Sequence, residues 1–147
     1  MVHFSIPTKD TMFDIYPVVK EHIIFETELC ELYSTYSPNS DLKCHLLITF
    51  KSSPSSIQEI SIEELQEMNT IAAILIKMMK ATYPDCDTSF AIQNGKPAGM
   101  TVFTTHCHVC AFTNGFKHSS TRRILPHDEL AELTTFFRQA LTPFINK

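Results

Sequence analysis

Residues 93–102 read Gln-Asn-Gly-Lys-Pro-Ala-Gly-Met-Thr-Val and lead directly into Phe-Thr-Thr-His-Cys-His-Val-Cys-Ala-Phe, residues 103–112. The first half holds Gly95 and Gly99, two of the three glycines in a chain of 147 residues. Glycine lets backbone N–H groups approach a ligand without side-chain obstruction, and a run of such groups suits a phosphate. The second half has the alternating character of a β-strand, which we place at residues 101–112. The sequence therefore predicts a phosphate-binding turn at the start of a strand.

Side chains of the predicted strand alternate between its two faces. The face that we expect to be open carries Thr104, His106, His108, Cys110 and Phe112. The opposite face is small and apolar, as expected of a surface packed under a helix. The two imidazoles should lie about 7 Å apart by strand rise. Neutral imidazole is a good nucleophile near pH 7, so a phosphate turn beside it, with the Thr101 hydroxyl as a further donor, indicates phosphoryl or nucleotidyl transfer.

Two other chemistries are open to the same strand. His106, Cys107, His108 and Cys110 are all zinc-ligand types. On a regular strand Cys107 points away from the other three, which leaves too few convergent ligands for a closed tetrahedral site. Cys107 as a catalytic nucleophile meets the same objection. We therefore predict no metal ligands in this segment.

The rest of the chain alternates between strand and helix patterns. Ser61 and Glu64 form a Ser-x-x-Glu capping box, which predicts a helix from there to Thr82. A second helix is predicted at residues 127–141, with Leu130, Leu133, Phe136, Phe137 and Leu141 as its buried side. Further strands are expected at residues 22–29, 31–36, 44–51 and 88–93. Tight turns imply antiparallel pairing, so we predict an α+β domain with a five-stranded antiparallel sheet and two main helices.

Length and composition limit the class of protein. We expect a single domain over residues 1–147, with an N-terminal arm at 1–20, a variable loop at 113–125 and a C-terminal helix at 127–141. The net charge of −4 argues against duplex nucleic acid as a partner. No apolar run is long enough to span a bilayer, and the first ten residues do not resemble a secretory signal. We therefore expect a cytoplasmic protein, with the nucleus also open to it, no membrane association, and free thiols on its five cysteines.

The pattern Gln-Asn-Gly-x-x-Ala-Gly-x-Thr-Val-x-x-x-His-x-His resembles the signature of the histidine triad (HIT) superfamily, in which three histidines alternate with apolar residues. Cys44-His45-Leu46-Leu47-Ile48 is similar to the family's Gly-His strand. The segment before the histidines has the form found in the fragile-histidine-triad type of dinucleoside polyphosphate hydrolase. This resemblance covers residues 22–112. It implies a HIT-like fold and a homodimer built across a two-fold axis.

The resemblance assigns catalytic roles to three histidines. His106 falls on the middle histidine of the triad, which attacks the α-phosphate and becomes nucleotidylated. His108 falls on the third histidine, which contacts the phosphate, and His45 falls on a supporting histidine. The first triad histidine is replaced here by Thr104, which can form a hydrogen bond but cannot titrate. We therefore expect weakened rather than abolished activity.

A second group of residues is expected to hold the nucleotide. By the same resemblance, the nucleotide-binding and phosphate-binding residues are Gln93, Gly99, Met100, Thr101, Val102 and Thr104. Met100 stands where a glutamine is common in the family. The family's ribose-binding residue has no clear match, and the candidates are Ser34, Thr35, Ser37 and Asn39.

The function implied is that of a nucleotide hydrolase. Its substrate would be a purine nucleotide, either a dinucleoside polyphosphate or a nucleoside phosphoramidate, and its product a nucleoside monophosphate. No cofactor is required, although magnesium is an expected companion of a polyphosphate substrate. The alternative is a HIT-family nucleotide-binding or adaptor protein with little or no turnover, an interpretation that rests on Thr104, Met100 and the unmatched ribose ligand. Nucleotidyl transfer to another acceptor is disfavoured, since those branches resemble His-x-His-x-Gln and this chain has His108.

Overall fold

A computed structural model describes residues 2–35, 44–113 and 123–146. The strands in these ranges are β1 (Thr11–Phe13), β2 (Tyr16–Val18), β3 (Ile23–Glu26), β4 (Cys30–Ser34), β5 (Cys44–Phe50), β6 (Asp87–Ile92) and β7 (His106–Phe112), and the α-helices are α1 (Ile62–Thr82) and α2 (His127–Leu141). Strands β1 and β2 form a separate hairpin, and the other five form one antiparallel sheet in the order β3-β4-β5-β7-β6. The predicted α+β fold, with a five-stranded antiparallel sheet and two main helices, is confirmed.

The helix predictions agree with the structure in their bounds. The side chain of Ser61 accepts a hydrogen bond from the Glu64 backbone N–H, and the Glu64 carboxylate accepts one from the Ser61 backbone N–H, so the capping box that begins α1 is confirmed. The buried residues of α2 are Leu130, Thr134, Phe137 and Leu141, a spacing of about one helical turn. Phe136 was predicted to be buried and is 44% exposed. It lies one position before Phe137 and therefore points about 100° away from the buried stripe.

One strand prediction and the description of the N-terminal arm need correction near the site. The last strand begins at His106 rather than at residue 101, because Lys96–Ala98 forms a 3-10 turn that ends in a left-handed Gly99 and the chain reaches the sheet only later. Thr104 therefore precedes the strand and does not share its alternation. The N-terminal arm also has more order than predicted, since it contains the β1–β2 hairpin, whose turn places Asp14 at a φ of 56°. Aspartate tolerates this conformation better than most residues.

The sheet has an apolar core on each face, and the two differ in size. The main core lies between the sheet and the helices and includes Leu46, Ile48, Leu75, Met79 and Cys107. A smaller cluster lies on the opposite face, where Phe13 and Val18 of the hairpin pack with Ile23, Tyr33 and Leu47. The helices therefore leave this second face open, and the hairpin covers only part of it. All five cysteines are free thiols and buried, as predicted.

Neither helix α1 nor any other helix in the described ranges is long and apolar enough to cross a membrane.

Candidate active site

The pairing of β7 with β5 brings three histidines together on the open face. In this register Leu47 lies opposite His108 and His45 lies opposite Cys110. The ring centroids of His106 and His108 are 4.7 Å apart. They are closer than the strand rise of about 7 Å predicts, because side chains lean along the strand direction. Two imidazoles in contact are thus the centre of the site.

The protonation of His106 follows from its hydrogen bond. Nδ1 of His106 lies 2.7 Å from the backbone oxygen of Thr104. A carbonyl oxygen can only accept, so Nδ1 carries the proton and the neutral ring keeps a lone pair on Nε2. Burial lowers the pKa of His106, against the opposing effect of the bond to Thr104. His106 is only 6% exposed, and burial favours the neutral form of its ring at neutral pH.

The third histidine contacts the second. Nε2 of His45 lies 2.8 Å from Nδ1 of His108, and the two ring centroids are 5.1 Å apart. One of these two nitrogens must donate, so the tautomers of the two rings are coupled. The support that sequence reasoning expected His45 to give is therefore directed at His108, which in turn contacts His106.

The loop before β7 depends on glycine at two positions. Gly95 and Gly99 both have a φ of +100°, where L side chains are strained. A Cβ on Gly99 would lie 2.6 Å from Nε2 of Gln93, whereas a Cβ on Gly95 would meet nothing within 4 Å. Gly99 thus serves two purposes, since it allows the turn and leaves space for the amide of Gln93.

These elements surround one cavity of about 630 Å³. Of the residues predicted to form the site, those that line it are His45, Gln93, Gly99, Thr101, Val102, His106 and His108. Of the ribose-ligand candidates, Ser34 and Thr35 also line it. Ser37 and Asn39 lie outside the described residues, as does most of the predicted variable loop.

Two predicted nucleotide-binding residues are not brought to this cavity. The side chain of Met100 is buried, and its sulfur accepts a hydrogen bond of 3.4 Å from the backbone N–H of Gly95, so it stabilises the loop from behind. Thr104 is buried beside a neighbouring cavity of about 290 Å³, because it precedes β7. Neither side chain lines the main cavity.

Sequence reasoning missed an aromatic wall of the cavity. It is formed by Phe13, Tyr16 and Tyr33, and Ile124 adds a further apolar side chain. Phe13 and Tyr16 belong to the hairpin, where they pair across β1 and β2. The available signal was the high density of apolar residues at 11–18 around the polar Asp14, but no pattern in the sequence tells which part of the sheet such a hairpin covers.

Cys107 does not join the histidines of this site. Cys107 is fully buried in the main core, on the face away from His106 and His108. In residues 2–35, 44–113 and 123–146, no three His, Cys, Asp or Glu side chains converge as metal ligands would.

The family assignment follows from the comparisons. The HIT domain family matches residues 17–114, and the chain belongs to this family. A crystal structure of a diadenosine triphosphate hydrolase from Plasmodium falciparum aligns with a TM-score of 0.79 at 21% identity, over 95% of this chain and 89% of that one. The Caenorhabditis elegans NitFhit protein aligns with a TM-score of 0.77 at 19% identity, over 93% of this chain and 31% of that one. The predicted resemblance to the HIT superfamily is thus confirmed by the family match, and the two solved structures share its fold.

Two further relatives define how far the similarity extends. A zinc-bound histidine triad family protein from Mycobacterium smegmatis aligns with a TM-score of 0.64 at 26% identity, over 82% of this chain and 84% of that one. The nitrilase and fragile histidine triad fusion protein NitFhit of Drosophila melanogaster is 25% identical over 103 residues, which are 70% of this chain. The chain spans only 22% of the length of that fusion protein.

Proposed function

We propose that this protein is a nucleotide hydrolase that acts at an α-phosphate through a nucleotidyl-histidine intermediate. Its substrates are dinucleoside polyphosphates or nucleoside phosphoramidates of a purine base, and its product is a nucleoside monophosphate. The observation that carries the proposal is the hydrogen bond from His106 Nδ1 to Thr104, which leaves the Nε2 lone pair on a ring that lines the cavity. The similarity to a diadenosine triphosphate hydrolase supports the substrate class.

The chemistry proceeds in two displacements. Nε2 of His106 attacks the α-phosphorus, a P–N bond forms, and the bond to the leaving group breaks, so that the leaving oxygen or nitrogen departs with the electron pair. Water then attacks the same phosphorus, the P–N bond breaks, and His106 is regenerated as the nucleoside monophosphate leaves. The leaving oxygen or nitrogen takes up a proton from solvent as it departs, and the attacking water, whose oxygen stays on phosphorus, returns one proton to solvent, so that the overall reaction consumes one water. Thr101 and the ring of His108 line the cavity and would stabilise the charge on the phosphoryl oxygens, whereas the backbone N–H of Gly99 already donates to the carbonyl oxygen of Lys96 over 3.0 Å.

The test is chromatographic detection of nucleoside monophosphate. Diadenosine triphosphate, diadenosine tetraphosphate and an adenosine phosphoramidate are each incubated with the wild type and with His106→Asn, with and without magnesium. Release by the wild type and none by the variant is the expected result, and stimulation by magnesium only with the two polyphosphates would place the metal on the substrate. No release above background on all three substrates would overturn the hydrolase proposal.

A second function, nucleotide binding without turnover, is favoured by one observation. The first histidine of the family pattern is replaced by Thr104, whose side chain is buried away from the main cavity. Equilibrium dialysis with adenosine monophosphate distinguishes the two functions. Equal affinity in wild type and His106→Asn, together with no hydrolysis, would identify a binding or adaptor protein.

We also propose a homodimer joined at β6. This strand lies at one edge of the sheet, where Asp87, Ser89 and Ala91 are exposed and Phe90 is 52% exposed. At the opposite edge, β3 exchanges two backbone hydrogen bonds with Ser5 and is thereby partly covered. An uncovered strand edge with an apolar side chain suits antiparallel pairing with a second copy. Sedimentation equilibrium should give a dimer for the wild type and a monomer for Phe90→Asp, whereas a monomeric wild type would contradict the proposal.

A further inference from the structure

An aromatic ring of the N-terminal hairpin packs against His106. Phe13 meets His106 edge to face, with ring centroids 4.9 Å apart and an interplanar angle of 90°. His106 also contacts His108, with ring centroids 4.7 Å apart and an interplanar angle of 59°. The imidazole of His106 is thus in contact with both an aromatic ring and a second imidazole.

Phe13 also lines two cavities. It lines the main cavity together with His106, and it lines the smaller neighbouring cavity together with Thr104 and Glu31. Phe13 is only 6% exposed. It therefore belongs to the walls of both the cavity that His106 lines and the cavity that Thr104 lines.

The hairpin is fixed in this position from both ends. The hydroxyl of Thr11 donates to Oε1 of Glu31 over 3.2 Å, and the backbone N–H of Phe103 donates to Oδ2 of Asp14 over 3.4 Å. Phe13 further packs edge to face on Tyr33, with centroids 5.7 Å apart. These contacts tie the hairpin to β4 and to the segment that leads into β7, so the position of Phe13 is set by the fold of the site itself.

We infer that Phe13 is a positioning residue for His106: the hairpin carries its ring onto the nucleophile, where it holds the imidazole plane and keeps water from it. The inference rests on the proposed function where it concerns catalysis, but the effect of Phe13 on the His106 ring can be measured without any turnover. A ring packed at 90° resists rotation of the imidazole about its last side-chain bond. That rotation would otherwise turn Nε2 away from a bound phosphate.

Exclusion of water has a measurable consequence. Burial is the main cause that lowers the pKa of His106, and Phe13 contributes directly to that burial. The titratable side chains that line the two cavities beside His106 are Tyr16, Glu31, Tyr33, His45, Lys51 and His108, and Asp14 lies at the hairpin turn. A substitution at Phe13 leaves all of them in place, so a change in the titration of His106 would report the loss of the ring.

The experiment measures that titration by NMR, independently of turnover. Proton–carbon spectra of the histidine rings are recorded against pH for the wild type, Phe13→Ala and Phe13→Leu, and the His106 signal is assigned by its loss in His106→Asn. Ile15→Ala is the matched control, since Ile15 belongs to the same hairpin and is 71% exposed at its turn. We expect the His106 midpoint to rise by about 0.5–1 unit in Phe13→Ala, by less in Phe13→Leu, and not at all in the control.

A second measurement connects the titration to catalysis. The acid limb of kcat/KM for the best nucleotide substrate should move upward by the same amount in Phe13→Ala, with kcat reduced more than KM is raised. An unchanged His106 midpoint in a folded Phe13→Ala variant overturns the inference, and if that variant does not fold, an unchanged midpoint in Phe13→Leu does so. If the wild type hydrolyses no substrate, the proposed function fails while the NMR titration still decides the role of Phe13.

Discussion

Nε2 of His45 lies 2.8 Å from Nδ1 of His108, so a single proton is shared between a residue of β5 and a residue of β7. Neither histidine can change tautomer without the other. His108 in turn contacts His106, so His45 is linked to His106 through His108.

Replacing His45 by alanine should therefore impair turnover more than binding. Loss of a hydrogen bond to a charged or phosphate-contacting group costs about 1.5–3 kcal/mol, which is about a ten- to hundredfold loss of rate. Steady-state kinetics with diadenosine triphosphate should show this loss in kcat, with a smaller change in KM. His45→Gln, which keeps a donor and an acceptor, should retain more activity than His45→Ala. Equal kcat values for wild type and His45→Ala would contradict the coupling.

The two glycines of the loop offer a matched pair of substitutions. Gly95→Ala and Gly99→Ala both introduce a side chain at a φ of +100°, so both should destabilise the fold, each by about 1–2 kcal/mol. Only Gly99→Ala also places a Cβ 2.6 Å from Nε2 of Gln93. We expect Gly99→Ala alone to weaken nucleotide binding, measured by titration calorimetry with adenosine monophosphate. Equal loss of affinity in the two variants would mean that backbone strain, rather than Gln93, sets the affinity.

The lowered pKa of His106 predicts how stability depends on pH. The unfolded chain takes up a proton near the ordinary value of 6.5, while the folded chain does so only at lower pH. Below pH 6.5 the unfolded state therefore binds more protons, and the free energy of unfolding falls until the pKa of the folded state is passed. Urea unfolding from pH 8 to pH 5 should show a steeper loss of the free energy of unfolding for the wild type than for His106→Asn.

Two other buried groups do not affect this comparison. His22, whose pKa is lowered by burial, and Glu31, whose pKa is raised by burial, are present in both proteins, so their contributions cancel. Parallel curves would contradict the prediction.

Arg138 anchors α2 to the start of the sheet. Its guanidinium donates to the backbone oxygens of Lys20, Ile23 and Ile24, at 3.2, 2.6 and 3.0 Å. Arg138→Lys keeps the charge but cannot reproduce this fork, so it should destabilise the fold by about 1.5–3 kcal/mol, as should Arg138→Ala. Arg123→Ala is the control, since Arg123 pairs with Glu129 at the surface and should change stability little. Thermal unfolding of the three variants measures the difference, and full rescue by lysine would show that charge alone anchors the helix.

Local rules account for the parts of the fold that the sequence predicted. Two short-range signals predicted the bounds of both helices: the capping box at Ser61 and Glu64, and the apolar spacing of α1 and α2. The strand start was misplaced at residue 101 because alternation in the sequence continues through Thr104, whereas the left-handed Gly99 keeps that segment off the sheet. A backbone turn of this kind does not change the side-chain periodicity from which the strand was predicted.

The histidines of the site could be identified from their motif, but not their surroundings. Spacing alone put His106 and His108 on one face, and the register of β5 was needed to bring His45 to within bonding distance of His108. The contact between Phe13 and His106 spans 93 positions of the chain and depends on where the hairpin folds back. Long-range contacts of this kind are set by the packing of whole elements, which one sequence does not reveal.

The hairpin shows why a fragment cut at the boundaries of the matched family region would differ from the whole chain. The HIT domain match begins at residue 17, within β2, and ends at residue 114. A fragment trimmed to that region would keep all three histidines and both loop glycines, yet it would lose Phe13 and the whole of α2. Such a fragment would still match the family motif, but His106 would lack its contact with Phe13, so inactivity of the fragment would be uninformative about the 147-residue chain.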